Sequence, residues 1–257
     1  MPIIYLKSEG GKLSKNPTKI AESGFWNTLA QSDFDKDGDI DFMAGNMGTN
    51  NKFNISKKTP YRFYLSDFDS NGYAESIVTY YVENKEYPAA SRDELMKQLP
   101  FLRKKIERYK DYSQATLQDI FDGSQLKKAF IKEIITTQSV YLENNGSGFA
   151  ITPLPEVAQM STIKSFWVED MDKDGNLDVL LIGNSYAPEV GTGRLDASLG
   201  VMLKGSGKGN FKAISSSNSG INIRGDTRQI INIKNKKPFL LISKHNDKFI
   251  KLEVNKP

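Results

Sequence analysis

The chain has 257 residues, 38% of them hydrophobic, enough for the core of a single all-β barrel or propeller. Its 35 basic and 31 acidic residues leave a formal charge of +4, too balanced to argue for nucleic acid by itself. The absence of cysteine excludes disulfides, thiol catalysis and Cys-ligated zinc, and no run of about 18 apolar residues offers a helical membrane span.

The opening stretch, Met1 to Lys7, lacks the basic segment, apolar core and small-residue cleavage site of a signal peptide. Phe25-Trp26-Asn27 then leads to the first of three segments that align without gaps. These are Asp33-Phe34-Asp35-Lys36-Asp37-Gly38-Asp39-Ile40-Asp41, Asp67-Phe68-Asp69-Ser70-Asn71-Gly72-Tyr73-Ala74-Glu75 and Asp170-Met171-Asp172-Lys173-Asp174-Gly175-Asn176-Leu177-Asp178. Each reads D-x-D-x-[DN]-G-x-x-[DE]. Before the second, Tyr61, Phe63 and Leu65 alternate with Arg62 and Tyr64, as a strand does.

Between the second and third segments the pattern turns helical. Ser91-Arg92-Asp93-Glu94 reads as a capping box, and Leu95, Leu99, Leu102, Ile106 and Tyr109 follow on one helical face. Pro100 is expected to break this run in two, and a further short helix is expected over 115–121. Residues 89–135 thus read as a helical insertion between strands. Val140 to Phe149 and Gly200 to Phe211 are strands that end in glycine-rich hairpin turns. Leu177 to Ile182 is a short apolar run that reads as a buried strand. Gly45-Asn46 and Gly183-Asn184 each end the strand after an acidic segment. A fourth unit, Ile221 to about Leu252, begins near Gly225-Asp226, where Thr227-Arg228-Gln229 supplies no ligands; it reads as a degenerate repeat.

The acidic spacing has a physical reason. Calcium takes roughly six to eight oxygen ligands at about 2.3–2.6 Å. Oxygen side chains at positions 1, 3 and 5 converge when the chain coils round an ion, and the glycine at position 6 permits the sharp turn. The ligand sets expected are Asp33, Asp35, Asp37, the Asp39 carbonyl and Asp41; Asp67, Asp69, Asn71, the Tyr73 carbonyl and Glu75; and Asp170, Asp172, Asp174, the Asn176 carbonyl and Asp178. Up to three calcium ions follow, the second loop binding most weakly because Asn71 replaces an acid. An EF-hand would need a Glu at position 12, where Ala44, Val78 and Leu181 stand, and flanking helices. The unit is strand, cation loop, strand. Without a cation, so many carboxylates in nine residues would repel.

Short strands, glycine turns and about four repeats predict an all-β chain with a helical insertion, built as β-propeller blades. The expected organisation is a single propeller domain over 1–257, or a fragment of a larger propeller.

The chain resembles the FG-GAP/VCBS-type calcium-binding β-propeller repeats, and most closely bacterial surface proteins in which such repeats accompany an ASPIC/UnbV domain. The resemblance rests on Phe25-Trp26-Asn27, the first loop and Ala44-Gly45-Asn46-Met47-Gly48-Thr49-Asn50. It extends through Tyr87-Pro88 to Leu99-Pro100, Leu154-Pro155 to Gln159, and Gly200-Val201-Met202-Leu203, covering about residues 20 to 245. It implies blades that carry calcium loops on one face of a secreted or surface-anchored protein, with a binding or scaffolding role toward a carbohydrate or protein partner. The chain would then be part of a longer parent, which accords with its first residues.

Catalysis has thin support. The sole histidine, His245, lacks a nucleophile elbow and reads as a surface residue. A secreted polysaccharide-acting enzyme remains the alternative, with Glu189, and Asp196 beyond it, on a long polar loop as the ligand-contact candidates. The insertion's Lys97, Arg103, Lys104, Lys105, Arg108 and Lys110 are interleaved with acids and lack stacking aromatics, so they read as a solvated face rather than a nucleic-acid surface.

Overall fold

The structure is a computed structural model that describes residues 1–13, 18–186 and 192–253. It is predominantly β, with antiparallel sheets, as the strand and turn pattern predicts. In chain order the strands begin with β1 (Ile3–Tyr5), β2 (Ser8–Glu9), β3 (Lys12–Leu13), β4 (Thr18–Ala21), β5 (Thr28–Ser32) and β6 (Asp41–Gly45). Next come β7 (Tyr61–Ser66), β8 (Glu75–Val82) and β9 (Lys85–Pro88), then helices α1 (Arg92–Gln98), α2 (Leu102–Lys105), α3 (Tyr109–Gln114), α4 (Leu117–Ile120) and α5 (Gly123–Lys128), then β10 (Phe130–Ile134). The chain continues with β11 (Val140–Asn144), β12 (Phe149–Pro153), β13 (Ile163–Glu169), β14 (Asp178–Gly183), β15 (Val201–Gly205) and β16 (Phe211–Ile214). After α6 (Ser216–Ser219) it ends with β17 (Thr227–Ile233), β18 (Phe239–Lys244) and β19 (Ile250–Glu253).

Two compact units form: Lys52–Thr136 with Met1, and Pro2–Asn51 with Thr137–Pro257. The first unit ends at Thr136, next to the expected 135, but begins at Lys52, well before the expected 89. The inserted segment carries its own four-stranded sheet, in order β10-β7-β8-β9, and the second acidic loop, as well as the five helices. It interrupts a second sheet, β12-β11-β6-β5, whose neighbours β6 and β11 lie on either side of the insertion in sequence.

Within the inserted unit the sequence features act as read. The Ser91 side chain accepts the Glu94 N–H, and Glu94 in turn accepts the Ser91 N–H. The helix stops before Pro100, and the next begins at Leu102. Leu95, Leu99, Leu102 and Ile106 are buried with Leu117, Ile120 and Phe121 over Tyr64, Phe68 and Ile77. Tyr109, expected on that face, is exposed because a new helix with its own axis begins there. The buried side of β7 is also the opposite of what its apolar alternation suggests. Tyr64 is buried while Leu65 is exposed, because the helices cover the face that carries Tyr64. On that face the buried Glu86 accepts hydrogen bonds from Tyr64 Oη at 2.9 Å, Thr79 Oγ1 at 2.6 Å and Tyr81 Oη at 3.2 Å, and pairs with Arg62 at 3.2 Å.

The other unit holds the sheet β12-β11-β6-β5, the sheet β13-β14-β15-β16, the three-stranded sheet β17-β18-β19 and the small pairs β1-β4 and β2-β3. The first strands of the three larger sheets run side by side, with β13 between β5 and β17. Every residue of β14 is buried. Val179 and Leu181 pack with Met43, Tyr141 and Leu203, whereas Leu180 and Ile182 pack with Ile230, Leu240 and Ile242. A strand covered on both faces reads as a continuous apolar run, which is why Leu177 to Ile182 does not alternate.

The Gly-Asn ends of β6 and β14 have distinct roles. A Cβ on Gly183 would lie 1.6 Å from the Thr162 carbonyl oxygen, so only glycine lets the chain entering β13 pass. Asn184 is buried, donates to the Ser198 and Gly225 carbonyls at 2.9 and 3.0 Å, and accepts from the Ser198 N–H. It ties the end of β14 to the chain entering β17.

Candidate metal centre

Each acidic segment fills the link between the first two strands of its meander: β5 to β6, β7 to β8, and β13 to β14. The residue before position 1 pairs across the ladder with position 9, as Ser32 with Asp41, Ser66 with Glu75 and Glu169 with Asp178. No helix flanks any of them, consistent with the missing acid at position 12.

Inside the loops one hydrogen-bond lattice is built three times. The N–H at position 5 donates to the position 3 carboxylate at 3.2 Å in all three. The glycine N–H donates to position 1 at 3.2, 2.8 and 3.0 Å, in Asp33, Asp67 and Asp170. The N–H at position 7 donates to position 5 at 3.0, 2.8 and 2.8 Å, in Asp37, Asn71 and Asp174. The N–H at position 2, buried in the first two loops, donates to position 9 at 3.1, 2.8 and 3.2 Å, in Asp41, Glu75 and Asp178. Both position 4 and the glycine adopt positive φ: 66° and 99° in the first loop, 60° and 90° in the second, 61° and 85° in the third. The sequence signals the glycine but not position 4, where Lys36, Ser70 and Lys173 are left-handed without side chains that favour it.

Among the described residues, three groups bring carboxylate oxygens within 4.8 Å of one another: Asp33, Asp35 and Asp37; Asp67, Asp69 and Glu75; Asp170, Asp172 and Asp178. Each could hold a metal ion. Two carboxylate oxygens of these loops, Asp39 Oδ1 and Asp170 Oδ1, are buried without a hydrogen-bond partner. A desolvated anionic oxygen is costly unless a cation satisfies it, so the Asp170 oxygen fits a metal held by its trio, whereas Asp39 lies outside the first trio.

Asp41 stands outside the first trio. It is fully buried and accepts from Phe34 N, from Tyr141 Oη at 2.6 Å and from Asn144 N at 2.8 Å. Asp178 is clamped in the same way, by Met171 N and by Gly205 N at 3.0 Å, yet also belongs to its trio. Asn144 and Gly205 are the last residues of β11 and β15, the third strands of their meanders. The similar strand-and-turn segments Val140 to Phe149 and Gly200 to Phe211 were the only sequence trace of these clamps. At position 7 the side chains are free for other uses: Tyr73 is exposed, and Asn176 Oδ1 accepts from Lys36 Nζ at 2.7 Å, linking the first and third loops.

Electrostatics differ between loops. Burial, and then repulsion from Asp41, Asp37 and Asp33, pushes the Asp35 carboxyl above its ordinary value. Asp39 is raised by desolvation and then by neighbouring acids. Asp178 is raised chiefly by burial, with Asp172 and Asp174 adding repulsion. Asp174 is instead lowered, by the Asn176 N–H and then by Lys204. The Lys204 ammonium bonds both Asp172 and Asp174, the latter at 3.0 Å, and is itself raised by them. The third loop therefore carries an internal cation that the sequence did not reveal.

The fourth sheet has no such loop. By strand order its counterpart is the β17–β18 turn, residues 234–238, which reads Lys-Asn-Lys-Lys-Pro, rather than Gly225-Asp226. Asp226 is buried at the entry to β17, where Oδ2 accepts from Arg228 Nη2 at 2.8 Å.

Of the other candidates, His245 is a surface residue, its Nδ1 3.8 Å from Asp226, and no serine hydroxyl bonds its ring among the described residues. Glu189 lies outside the described residues, and Asp196 is exposed. The basic side chains of 97–110 are exposed, and Lys105 donates to the Ile120 carbonyl at the end of α4. No described helix is long and apolar enough to cross a membrane. In comparisons with models of known protein families and with curated proteins, no family model and no curated protein matches the chain.

Proposed function

We propose that this chain is a calcium-stabilised β-propeller module of the FG-GAP/VCBS type that works outside the cell as a binding or scaffolding surface for a carbohydrate or protein partner, not as a catalyst. The observation that carries the reading is the threefold lattice, in which one set of backbone N–H groups aims the carboxylates of each loop at a common point. The donor sets are all oxygen, with no imidazole or thiolate, which favours a hard cation. Calcium suits them better than magnesium, because it accepts irregular, crowded carboxylate shells and does not demand a near-ideal octahedron. An extracellular setting suits loops of this kind, since calcium is abundant there.

The propeller reading is supported by the side-by-side first strands β5, β13 and β17 and by β14 packed between neighbouring sheets. Metal here is structural, coupling ion binding to folding. The test is a thermal melt with calcium and with EGTA, together with elemental analysis of the purified protein. Calcium is expected to raise the melting temperature by several degrees. Equal melting temperatures, with no calcium found, would overturn the proposal.

A further inference from the structure

A groove of about 480 Å³ opens beside the third loop, within the range of small-ligand clefts, roughly 300–1,000 Å³. One wall is the end of β13 and the start of the loop; the other is the end of β17 and the 234–238 turn. Its floor includes Trp167, which packs against the Leu180 and Ile182 cluster. Trp167 is half-buried, and its indole N–H makes no hydrogen bond to any described residue. Phe239 also lines the groove, but the Lys251 ammonium lies over its ring at 5.0 Å, which leaves Trp167 as the open aromatic platform.

Around this platform stand planar polar groups. Asn232 and Asn235 offer amides, and Glu169 a carboxylate whose contact with Asn232 is long, at 3.5 Å. The charges cancel: Glu169 and Asp170 face Lys173 and Lys234. An aromatic plane takes the C–H face of a sugar ring, and amides and carboxylates take pairs of hydroxyls. A lining of mixed sign gives neither an anionic nor a cationic ligand a field of one sign to bind in. Nor does it suit a peptide added as a strand, because β13 is already flanked by β5 and β17.

We infer that this groove binds a neutral oligosaccharide, with Trp167 as the stacking platform and Asn232 and Glu169 as hydroxyl partners. The inference rests on the proposed binding role and names the ligand class and the place.

The test uses the full chain and neutral tetrasaccharides from β-1,4-glucan, α-1,4-glucan, chitin, xylan and mannan. The protein has two tryptophans, so a Trp26→Phe variant makes Trp167 the sole fluorescent reporter. At least one tetrasaccharide is expected to shift Trp167 emission saturably. By calorimetry its affinity should fall about tenfold or more in Trp167→Ala and about fivefold in Asn232→Ala, and change less than about twofold with salt. If Trp167→Ala does not fold, Trp167→Leu keeps apolar packing without an aromatic face and is read in its place. No binding by any tetrasaccharide, binding indifferent to both variants, or binding only of a charged glycan or a peptide with steep salt dependence would overturn the inference. The same samples are melted with calcium and EGTA. A calcium-dependent melt without glycan binding overturns the groove alone, and glycan binding without a calcium response overturns the metal reading alone.

Discussion

Asp41 and Asp178 occupy the same place in their loops and are gripped alike, yet only Asp178 joins a carboxylate trio. The clamp therefore has a structural role independent of any ion. Asp41→Ala would leave the Tyr141 hydroxyl and two backbone N–H groups unpaired in the interior, and should cost about 3 kcal/mol by chemical denaturation even in EGTA. Lys204 poses the opposite case. Its ammonium lies on Asp172 and Asp174, where an incoming cation must displace it. Lys204→Met should raise the calcium affinity of the third loop by about fivefold, read by calorimetry on a chain whose other two loops are disabled. The acidic side chains of the three loops were legible because their spacing is local, as the oxygen ligands of one cation would require. Lys204, Tyr141 and Gly205 were not, because they arrive from other strands and obey no local spacing.

Elements show the same division. The capping box at Ser91 and the stop before Pro100 depend on neighbouring residues and were readable. The buried side of β7 depends on which face the helices cover, and its apolar alternation misled. Arg62 and Glu86 meet across that sheet as a largely buried pair joined by three hydroxyls. Glu86→Ala leaves the Tyr64 and Thr79 hydroxyls without their acceptor and takes from Arg62 its buried carboxylate partner, leaving it Glu133 and Tyr81, and should cost about 2 kcal/mol, against a smaller loss for Glu86→Gln, measured by urea denaturation. Gly183 offers a cleaner test of close approach. Gly183→Ala drives a methyl into the Thr162 carbonyl and should cost about 3 kcal/mol. Gly146→Ala, with nothing within 4 Å but a φ of 73°, should cost about 1 kcal/mol.

For the whole molecule, metal and proton compete. Asp35 and Asp178 are raised in the folded chain, so it binds more protons than the unfolded chain between their ordinary and raised values. In that window their contribution to metal-free stability falls as pH rises. Calcium must displace those protons, so its stabilisation should be larger at about pH 7 than at about pH 4.5, read as the calcium-induced shift in melting temperature by calorimetry. An equal shift at both pH values would show that the raised carboxyls stand apart from the ion.

The sequence by itself determined the three acidic loops, their place between strands, the helical segment and the β character of the rest. All of these are set by short-range spacing: acids and glycine within one loop, side-chain period along a strand, capping within one turn. Only the tertiary structure decided that the second loop belongs to an inserted unit with its own sheet, that the first two strands of the β17-β18-β19 sheet are joined by the 234–238 turn without an acidic loop, and that Trp167 lines a groove beside the third loop. Those facts depend on which distant strands pair, and pairing is governed by burial summed over the whole chain rather than by any local pattern.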